Sequence, residues 1–290
     1  MPPSVEEHLR RIMPAVKDLL RTIEELEDVK SAVLFGSVTR PQDFVVGVSD
    51  IDLLVVTSRK PSRRYYNSRA DDTEINAVVM SGEELKEAFE RGDPLALMVY
   101  RSRRVLEDDG TFASIAASKP EVTKHTLRVL RRSVLAALGL ALEAYLLGSY
   151  RKAVSHAYHS LRHLARYKAS LGGVDADGFP LSDAEVEECL AGRARGLFAE
   201  LAALRRRRDV SREACLRVLS ETIKVASLEL GLKAPSLLAV ERAIGRRANV
   251  VVVREVGDSM VVRAEVLTPE GFKKIEVGEG YVREIEDLFD

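Results

Sequence analysis

The stretch LFGSVTR, residues 34–40, and the stretch SDIDLLV, residues 49–55, carry the clearest signals in this 290-residue sequence. Each contains a short apolar, β-branched run beside glycine, serine or aspartate, which is typical of a buried strand that meets a polar edge. Gly36 and Ser37 follow the first run, where glycine permits a tight turn and close backbone approach. Asp50 and Asp52 are two residues apart, so a strand would point both carboxylates to one face.

These residues form a candidate site for phosphate and metal. Free backbone N–H groups and a hydroxyl at a strand end hold phosphate oxygens, which makes Gly36 and Ser37 candidate phosphate ligands. Arg40 adds a guanidinium for the same phosphates. The two carboxylates offer hard oxygen ligands for Mg²⁺ and suit a two-ion site for phosphoryl or nucleotidyl transfer. Each element alone is common as a plain turn or strand-edge feature, and it is their ordered combination that indicates a site.

A Gly-Ser pair followed after 12 residues by Asp-x-Asp resembles the signature of nucleotidyltransferases of the DNA polymerase beta superfamily. The likeness is to the minimal nucleotidyltransferases of archaea and bacteria and to the aminoglycoside nucleotidyltransferases, and it covers about residues 30–110. The resemblance implies that Gly36 and Ser37 bind nucleotide phosphates and that Asp50 and Asp52 hold the metal ions. It also implies an NTP substrate and Mg²⁺.

The third acidic position of that family is occupied differently. Family members supply a further carboxylate from the next strand, and alignment on INAVV, residues 75–79, places Asn76 there. An amide carbonyl can coordinate Mg²⁺ but cannot accept a proton. Glu74 lies two residues earlier and therefore on the same strand face, where it either completes the acidic site as a general base or is a solvated edge charge.

The central part of the sequence is helical. Apolar periodicity predicts helices over about 120–148, 150–171, 182–204 and 210–231, which together would form an antiparallel bundle. Residues 149–166 resemble the first helix of HEPN-type bundles, which often accompany minimal nucleotidyltransferases. Many HEPN ribonucleases use an Arg-x(4–6)-His motif, and Arg151 with His156 fits that spacing. The motif is short and stands earlier in the bundle than in those nucleases, so packing is the preferred interpretation.

The overall prediction is an α+β multidomain protein in three parts. Residues 1–118 would be an α/β nucleotidyltransferase domain with a short mixed sheet, whose strands 31–35, 51–57 and 73–80 follow an opening helix. A loop at 60–72 would carry arginines and tyrosines, either near the metal site or as a solvated hairpin tip. Residues 119–234 would be the helical bundle. Residues 235–290 would be a small α+β domain: a short helix, a meander of strands at 248–256, 259–267 and 272–277, and a closing helix at 281–289.

Composition restricts the functional classes. The 44 basic and 45 acidic residues balance, so no global field would draw the molecule onto nucleic acid or lipid. Two cysteines are too few for a disulfide framework, and no apolar run is long enough to span a bilayer, so we expect a cytoplasmic protein with no membrane partner. Asn and Gln together number four, which fits a thermophilic source. A homodimer is compatible with the sequence.

The function that the sequence favours is Mg²⁺-dependent transfer of a nucleoside monophosphate from an NTP to an acceptor hydroxyl, with release of pyrophosphate. Asp50, Asp52 and Glu74 would be catalytic, and the acceptor is left open among a protein, a small molecule and an RNA end. The first alternative is a nucleotide-binding regulatory or antitoxin-like protein with weak catalysis, which Asn76 favours. The second is a HEPN-type ribonuclease built on Arg151 and His156.

Overall fold

The two apolar runs around the Gly-Ser and Asp-x-Asp residues form neighbouring strands of one mixed sheet. The structure, a computed structural model, describes residues 5–245 and 248–289. Its first sheet contains β1 (Val29–Phe35), β2 (Ile51–Thr57), β3 (Tyr65–Ala70), β4 (Thr73–Ser81) and β5 (Arg103–Asp108), in the order β3-β4-β2-β1-β5. Strands β2 and β4 are parallel, and the other neighbours are antiparallel. The predicted mixed sheet is therefore confirmed.

Both faces of this sheet are covered by helices. The amphipathic helix α1 (Val5–Glu24) packs its buried side on the face that includes Leu34, Leu53 and Ile75. Three helices lie on the opposite face, which includes Val33, Leu54 and Met80: α2 (Gly82–Glu90), α3 (Pro94–Arg101) and α4 (Thr111–Ala116). Successive residues of β2 point to opposite faces of the sheet, and both faces are covered. The strand is therefore apolar along almost its whole length.

Local sequence determines where α2 begins. The Ser81 hydroxyl accepts a hydrogen bond from the backbone N–H of Glu84 at 3.2 Å, and the Glu84 carboxylate accepts one from the Ser81 N–H at 2.9 Å. This reciprocal capping box matches the Ser-x-x-Glu spacing of the sequence.

The predicted loop at 60–72 is partly wrong, because it contains the edge strand β3. Of the six residues of β3, only Tyr66 is buried. The other edge strand, β5, has no buried residue and was also missed. Edge strands are paired on one side only and carry polar side chains, so they lack the apolar pattern by which the central strands are recognised.

The chain divides into two compact units, Met1–Leu127 with Ala169–Glu185, and Arg128–Lys168 with Val186–Asp290. The three-part division at 118 and 234 stays a prediction. The helical region contains α5 (Lys124–Leu146), α6 (Tyr150–Leu171), α7 (Asp183–Glu188), α8 (Gly192–Arg205) and α9 (Arg212–Leu230). The single helix predicted at 182–204 is therefore two helices, separated near Gly192, whose φ of +50° lies outside the helical region.

The second unit also contains α10 (Leu237–Ile244) and an antiparallel sheet of β6 (Ala248–Val256), β7 (Ser259–Thr268), β8 (Gly271–Gly278) and β9 (Tyr281–Glu284), in that order. The three predicted strands are confirmed, and the predicted helix at 281–289 is wrong. β9 pairs with β8 instead, after a turn at Gly280 with φ of +79°. The pairing is stabilised by Tyr281 and Arg283, which both donate hydrogen bonds to Glu276 at 2.9 Å.

No described helix has both the length and the apolar character that crossing a membrane requires.

Candidate functional site

The turn after β1 lies directly against the Asp-x-Asp residues. Gly36 has φ of +76° and begins a single turn of 3₁₀ helix, Gly36–Thr39. A β-carbon built on Gly36 would lie 2.5 Å from Oδ2 of Asp52. Real side chains cannot approach that closely, so this position requires glycine both for its backbone conformation and for the space that Asp52 occupies. The structure therefore brings the two quoted sequence stretches together.

The carboxylates of Asp50 and Asp52 differ in their surroundings. Asp50 is exposed at the start of β2, whereas Asp52 is partly buried on the strand. Removal from solvent raises the pKa of Asp52 to about 7, the negative charge of Asp50 adds to this rise, and Arg40 opposes it. A carboxyl group with this pKa is poised to lose its proton when a cation arrives, because the cation stabilises the charged form.

Asn76 is the direct neighbour of Asp52. The parallel pairing of β2 with β4 places these two residues opposite each other, about 4.8 Å apart by the usual strand spacing. Glu74 is two residues earlier on β4, so it shares the strand face of Asn76 and is exposed. The register therefore pairs Asn76 with Asp52, and the roles assigned to Asn76 and Glu74 stay predictions.

The Gly-Ser turn is held by a polar network. The Thr39 hydroxyl donates a hydrogen bond to the carbonyl oxygen of Gly36 at 2.8 Å and contacts the hydroxyl of Ser102. Arg40 donates to Asp43 at 2.9 Å and to Ser102 at 3.2 Å. Within the described residues the Ser37 hydroxyl makes no hydrogen bond. It is therefore available to a ligand, whereas part of the Arg40 guanidinium is engaged by the protein.

Asp43 and Ser102 are functional candidates that the sequence analysis missed. The Asp43 side chain is 4% exposed, and its ion pair with Arg40 fixes the residues after the turn. The spacing of Arg40 and Asp43, three residues apart, is a local signal for this pair. Ser102 is 62 residues away from Arg40 in sequence, and no local pattern indicates its contact with the turn.

The oxygen atoms of this site fit Mg²⁺ in kind. Asp50, Asp52 and Asn76 offer two carboxylates and an amide carbonyl, which are hard ligands. Burial and, after it, the negative charge of Asp50 raise the pKa of Asp52, and a bound cation would stabilise the ionised carboxylate. In residues 5–245 and 248–289, no group of three His, Cys, Asp or Glu side chains is arranged to hold a metal. The protein thus supplies fewer acidic ligands than the resemblance implies.

The basic segment after β2 has mixed surroundings. Arg63 lies over the ring of Tyr66 at 4.9 Å, and Arg64 pairs with Glu84 at the start of α2. Tyr65 is 60% exposed. Arg63 and Arg64 therefore contact other side chains of the protein, whereas Tyr65 is exposed to solvent.

Arg151 and His156 lie on α6 in the other unit. Five helical residues correspond to a rotation of about 140°, so the two side chains leave the helix in different directions. Desolvation lowers the pKa of His156, and Lys152 contributes to this shift. The helix therefore does not bring the two motif residues together, and the ribonuclease hypothesis gains no support from their placement.

Several solved structures are similar to this chain, whereas no curated protein matches it. A nucleotidyltransferase-like protein from Exiguobacterium sibiricum has 14% identity and a TM-score of 0.31, with 74% of this chain and 77% of that chain covered. Spectinomycin adenyltransferase AAD(9) from Enterococcus faecialis, crystallised with ATP and spectinomycin, has 14% identity and a TM-score of 0.49, with 75% and 97% covered.

All six candidate residues of the first unit, Gly36, Ser37, Arg40, Asp50, Asp52 and Glu74, fall within one matched segment. That segment, residues 16–93, matches the family model of the nucleotidyltransferase domain, so the chain carries a nucleotidyltransferase domain near its N-terminus.

Proposed function

We propose that this protein transfers a nucleoside monophosphate from an NTP to an acceptor hydroxyl and releases pyrophosphate. The observation that carries the proposal is the packing of Gly36 against Asp52, which brings the Gly-Ser turn against the Asp-x-Asp residues. The match of residues 16–93 to the nucleotidyltransferase domain supports the same reaction class. In the reaction, a bond forms between the acceptor oxygen and the α-phosphorus as the bond from that phosphorus to the pyrophosphate oxygen breaks.

Each residue has a role in this proposal. Ser37 and the backbone at Gly36 hold the nucleotide phosphates, and Arg40 adds positive charge beside them. Asp50 and Asp52 would hold Mg²⁺, in a two-ion site, with Asn76 as a further oxygen ligand. When bound, the metal supplies activation of the acceptor oxygen and neutralisation of the leaving pyrophosphate. Glu74 takes the proton of the acceptor hydroxyl, since it shares the strand face of Asn76 and is open to solvent.

One observation favours a second candidate, a nucleotide-binding protein with little turnover. Asn76 stands beside Asp52 in the strand register, where a carboxylate would otherwise complete the acidic site. An amide there adds no negative charge and takes no proton. This candidate keeps the phosphate and metal roles of Ser37, Asp50 and Asp52 and removes the catalytic role of Glu74.

Binding of the nucleotide can be tested without knowing the acceptor. Calorimetry of the full chain with a non-hydrolysable NTP and Mg²⁺ should give binding that the Asp50→Asn, Asp52→Asn double variant loses. Ser37→Ala should weaken binding by roughly 1–2 kcal/mol, the scale of a hydrogen bond to a charged group. The matched control is Asp18→Asn with Asp28→Asn, which removes two carboxylates that are mainly exposed. Unchanged affinity in the Asp50, Asp52 variant would contradict the proposal.

Turnover is tested by pyrophosphate release and by labelled nucleotide transfer. The full chain is incubated with each NTP, Mg²⁺ and one acceptor class at a time: a tyrosine-containing protein, small alcohols or an RNA with a free 3′ hydroxyl. Transfer to any class supports the enzyme. Mg²⁺-dependent binding with no transfer to any of them supports the second candidate.

A further inference from the structure

A groove of about 830 Å³ lies within the second unit, beside the N-terminal half of α5 and the C-terminal half of β6. Four of its lining residues are arginines, Arg128, Arg131, Arg132 and Arg254, and one, Glu255, is acidic. The remainder is mostly apolar and includes the ring of Phe289, which is 66% exposed. The groove is therefore cationic at its walls and apolar between them.

The groove lies beside a close contact between α5 and β6. At Gly139 the helix approaches the strand so closely that a β-carbon would lie 3.2 Å from the backbone nitrogen of Val253. One turn further along, the Glu143 carboxylate accepts a hydrogen bond from the Val251 N–H at 3.1 Å. These contacts cover the free edge of β6. The groove begins beyond these contacts, on the side towards Arg128.

Arg131 fixes the acidic residue of the groove. Its Nε and Nη2 donate hydrogen bonds to the two carboxylate oxygens of Glu255 at 2.7 and 2.9 Å, and Nη2 also donates to the Leu230 carbonyl at 3.0 Å. This bidentate pair joins α5 to β6 and neutralises Glu255. The charge of Arg131 is therefore compensated within the protein.

Two of the other arginines of the groove have their charge uncompensated. Arg132 and Arg254 make no ion pair with a carboxylate within residues 5–245 and 248–289. Arg132 is exposed, and Arg254 is partly exposed. Arg128 precedes Arg132 by one helical turn, a rise of about 6 Å along α5. The groove is thus lined by arginines in a row on the helix and by one from the strand, and the uncompensated charges are those of Arg132 and Arg254.

We propose that this groove binds the sugar–phosphate backbone of a single-stranded nucleic acid. Guanidinium groups in a row match a ligand with repeated negative charges, and they bind phosphate oxygens in pairs. The exposed ring of Phe289 offers a face on which a base stacks, as in proteins that bind single strands without sequence preference. A lipid surface fits less well, because the arginines line a concave groove. The net charge of −1 gives the whole chain no overall attraction to nucleic acid, so binding depends on local positive charge such as that of this groove.

The test measures binding of a fluorescein-labelled 12-nucleotide oligouridylate to the full chain by anisotropy, without NTP, at several salt concentrations. We expect Arg132→Ala with Arg254→Ala to weaken binding about tenfold or more at low salt. The slope of log K against log salt should also fall by about 1.4, the value for two lost phosphate contacts on a single strand. Arg132→Lys with Arg254→Lys keeps both charges and should retain most of the slope.

Two further variants sharpen the result. Arg10→Ala with Arg21→Ala removes two exposed arginines of α1 and should leave the affinity within twofold. Phe289→Ala should weaken binding about fivefold or more without changing the salt slope, because stacking releases no counterions. Thermal unfolding of each variant confirms that it is folded.

Three results would overturn the proposal. The first is an equal loss of affinity in the Arg10, Arg21 variant and the Arg132, Arg254 variant, which would indicate non-specific attraction. The second is displacement of the RNA by an equal concentration of a glutamate-rich peptide of equal charge, which would assign the groove to an acidic protein. The third is the absence of measurable RNA binding at low salt. Because no NTP is present, none of these results depends on the proposed transferase activity.

Discussion

Oδ2 of Asp52 lies 2.5 Å from the position that a β-carbon on Gly36 would occupy. A Gly36→Ala substitution must therefore move either the turn or the carboxylate, and it also places alanine at φ of +76°. We expect lower stability and loss of measurable binding of the NTP–Mg²⁺ complex, because either movement separates the turn from the Asp52 carboxylate.

Gly110→Ala is the control for this prediction. Gly110 has φ of +100°, and a β-carbon there meets no atom within 4 Å. This variant pays the conformational penalty of roughly 1–2 kcal/mol without a clash. Urea unfolding should show that Gly36→Ala is the less stable of the two, and calorimetry should show that Gly110→Ala keeps its NTP affinity. Equal NTP affinity in both variants would contradict the role assigned to the contact.

The pKa of Asp52 makes the metal-free protein less stable as pH rises. The folded value is about 7 and the reference value is 3.8, so between these values the folded state keeps a proton that the unfolded state has lost. Unfolding then releases a proton, and the free energy of unfolding falls by up to about 1.4 kcal/mol per pH unit. The stabilisation is complete below about pH 4 and is lost above about pH 7.

Urea unfolding of the wild type and of Asp52→Asn is measured in the presence of a chelator, between about pH 4 and pH 8. The difference between their free energies of unfolding at each pH gives the contribution of Asp52 to stability. The variant should lack it and should be the more stable protein at the upper end. Asp50→Asn should move the end of the window to lower pH, because the charge of Asp50 contributes to the raised pKa of Asp52. A wild-type-minus-variant difference that does not change with pH would show that Asp52 has an ordinary pKa.

Arg40 and Asp43 should be strongly coupled in stability. Their side chains are 12% and 4% exposed, so Arg40→Ala leaves a buried carboxylate without its cation. We expect a loss of roughly 3–5 kcal/mol, most of which Arg40→Ala with Asp43→Asn should restore. A guanidinium has five N–H groups, and Asp43 and Ser102 occupy two of them. If the others bind phosphate, the double variant regains stability but not NTP affinity.

The parts of the fold that sequence predicted are those where burial imposes a pattern. β2 reads IDLLVVT because the sheet is covered on both faces, and its limits, Ile51–Thr57, match the prediction. β3, with the sequence YYNSRA, lies at an edge and has only Tyr66 buried, so no apolar alternation marked it. At the C-terminus a closing helix was predicted at 281–289, but pairing of β9 with β8 and the contacts of Tyr281 and Arg283 with Glu276 favour a strand.

The candidate site shows the same division between local and long-range information. The spacing of Asp50 and Asp52 and the Gly36-Ser37 pair could be read locally, and the strand register then places Asn76 beside Asp52. The contact of Ser102 with Arg40 joins residues from distant elements, and nothing local to either residue indicates it. The same holds for the arginine groove, where Arg254 reaches the helix face of Arg128 and Arg132 only after the chain has folded.

The last prediction concerns the acid that Asn76 replaces. If Glu74 is the general base, Glu74→Gln should lower the transfer rate by about 10²-fold or more, with little change in NTP affinity, because the lost function is proton transfer. Asn76→Asp should raise the rate, because it places a carboxylate beside Asp52 on the neighbouring parallel strand.

The outcomes of these two substitutions distinguish the two candidate functions. An active wild type that needs Glu74 indicates an enzyme whose catalytic acid has moved by two residues. An inert wild type that Asn76→Asp activates indicates a nucleotide-binding protein that lacks only this ligand. Because Asn76 and Asp52 are paired in register, a rate that responds to neither substitution would mean that the catalytic acid lies outside β4.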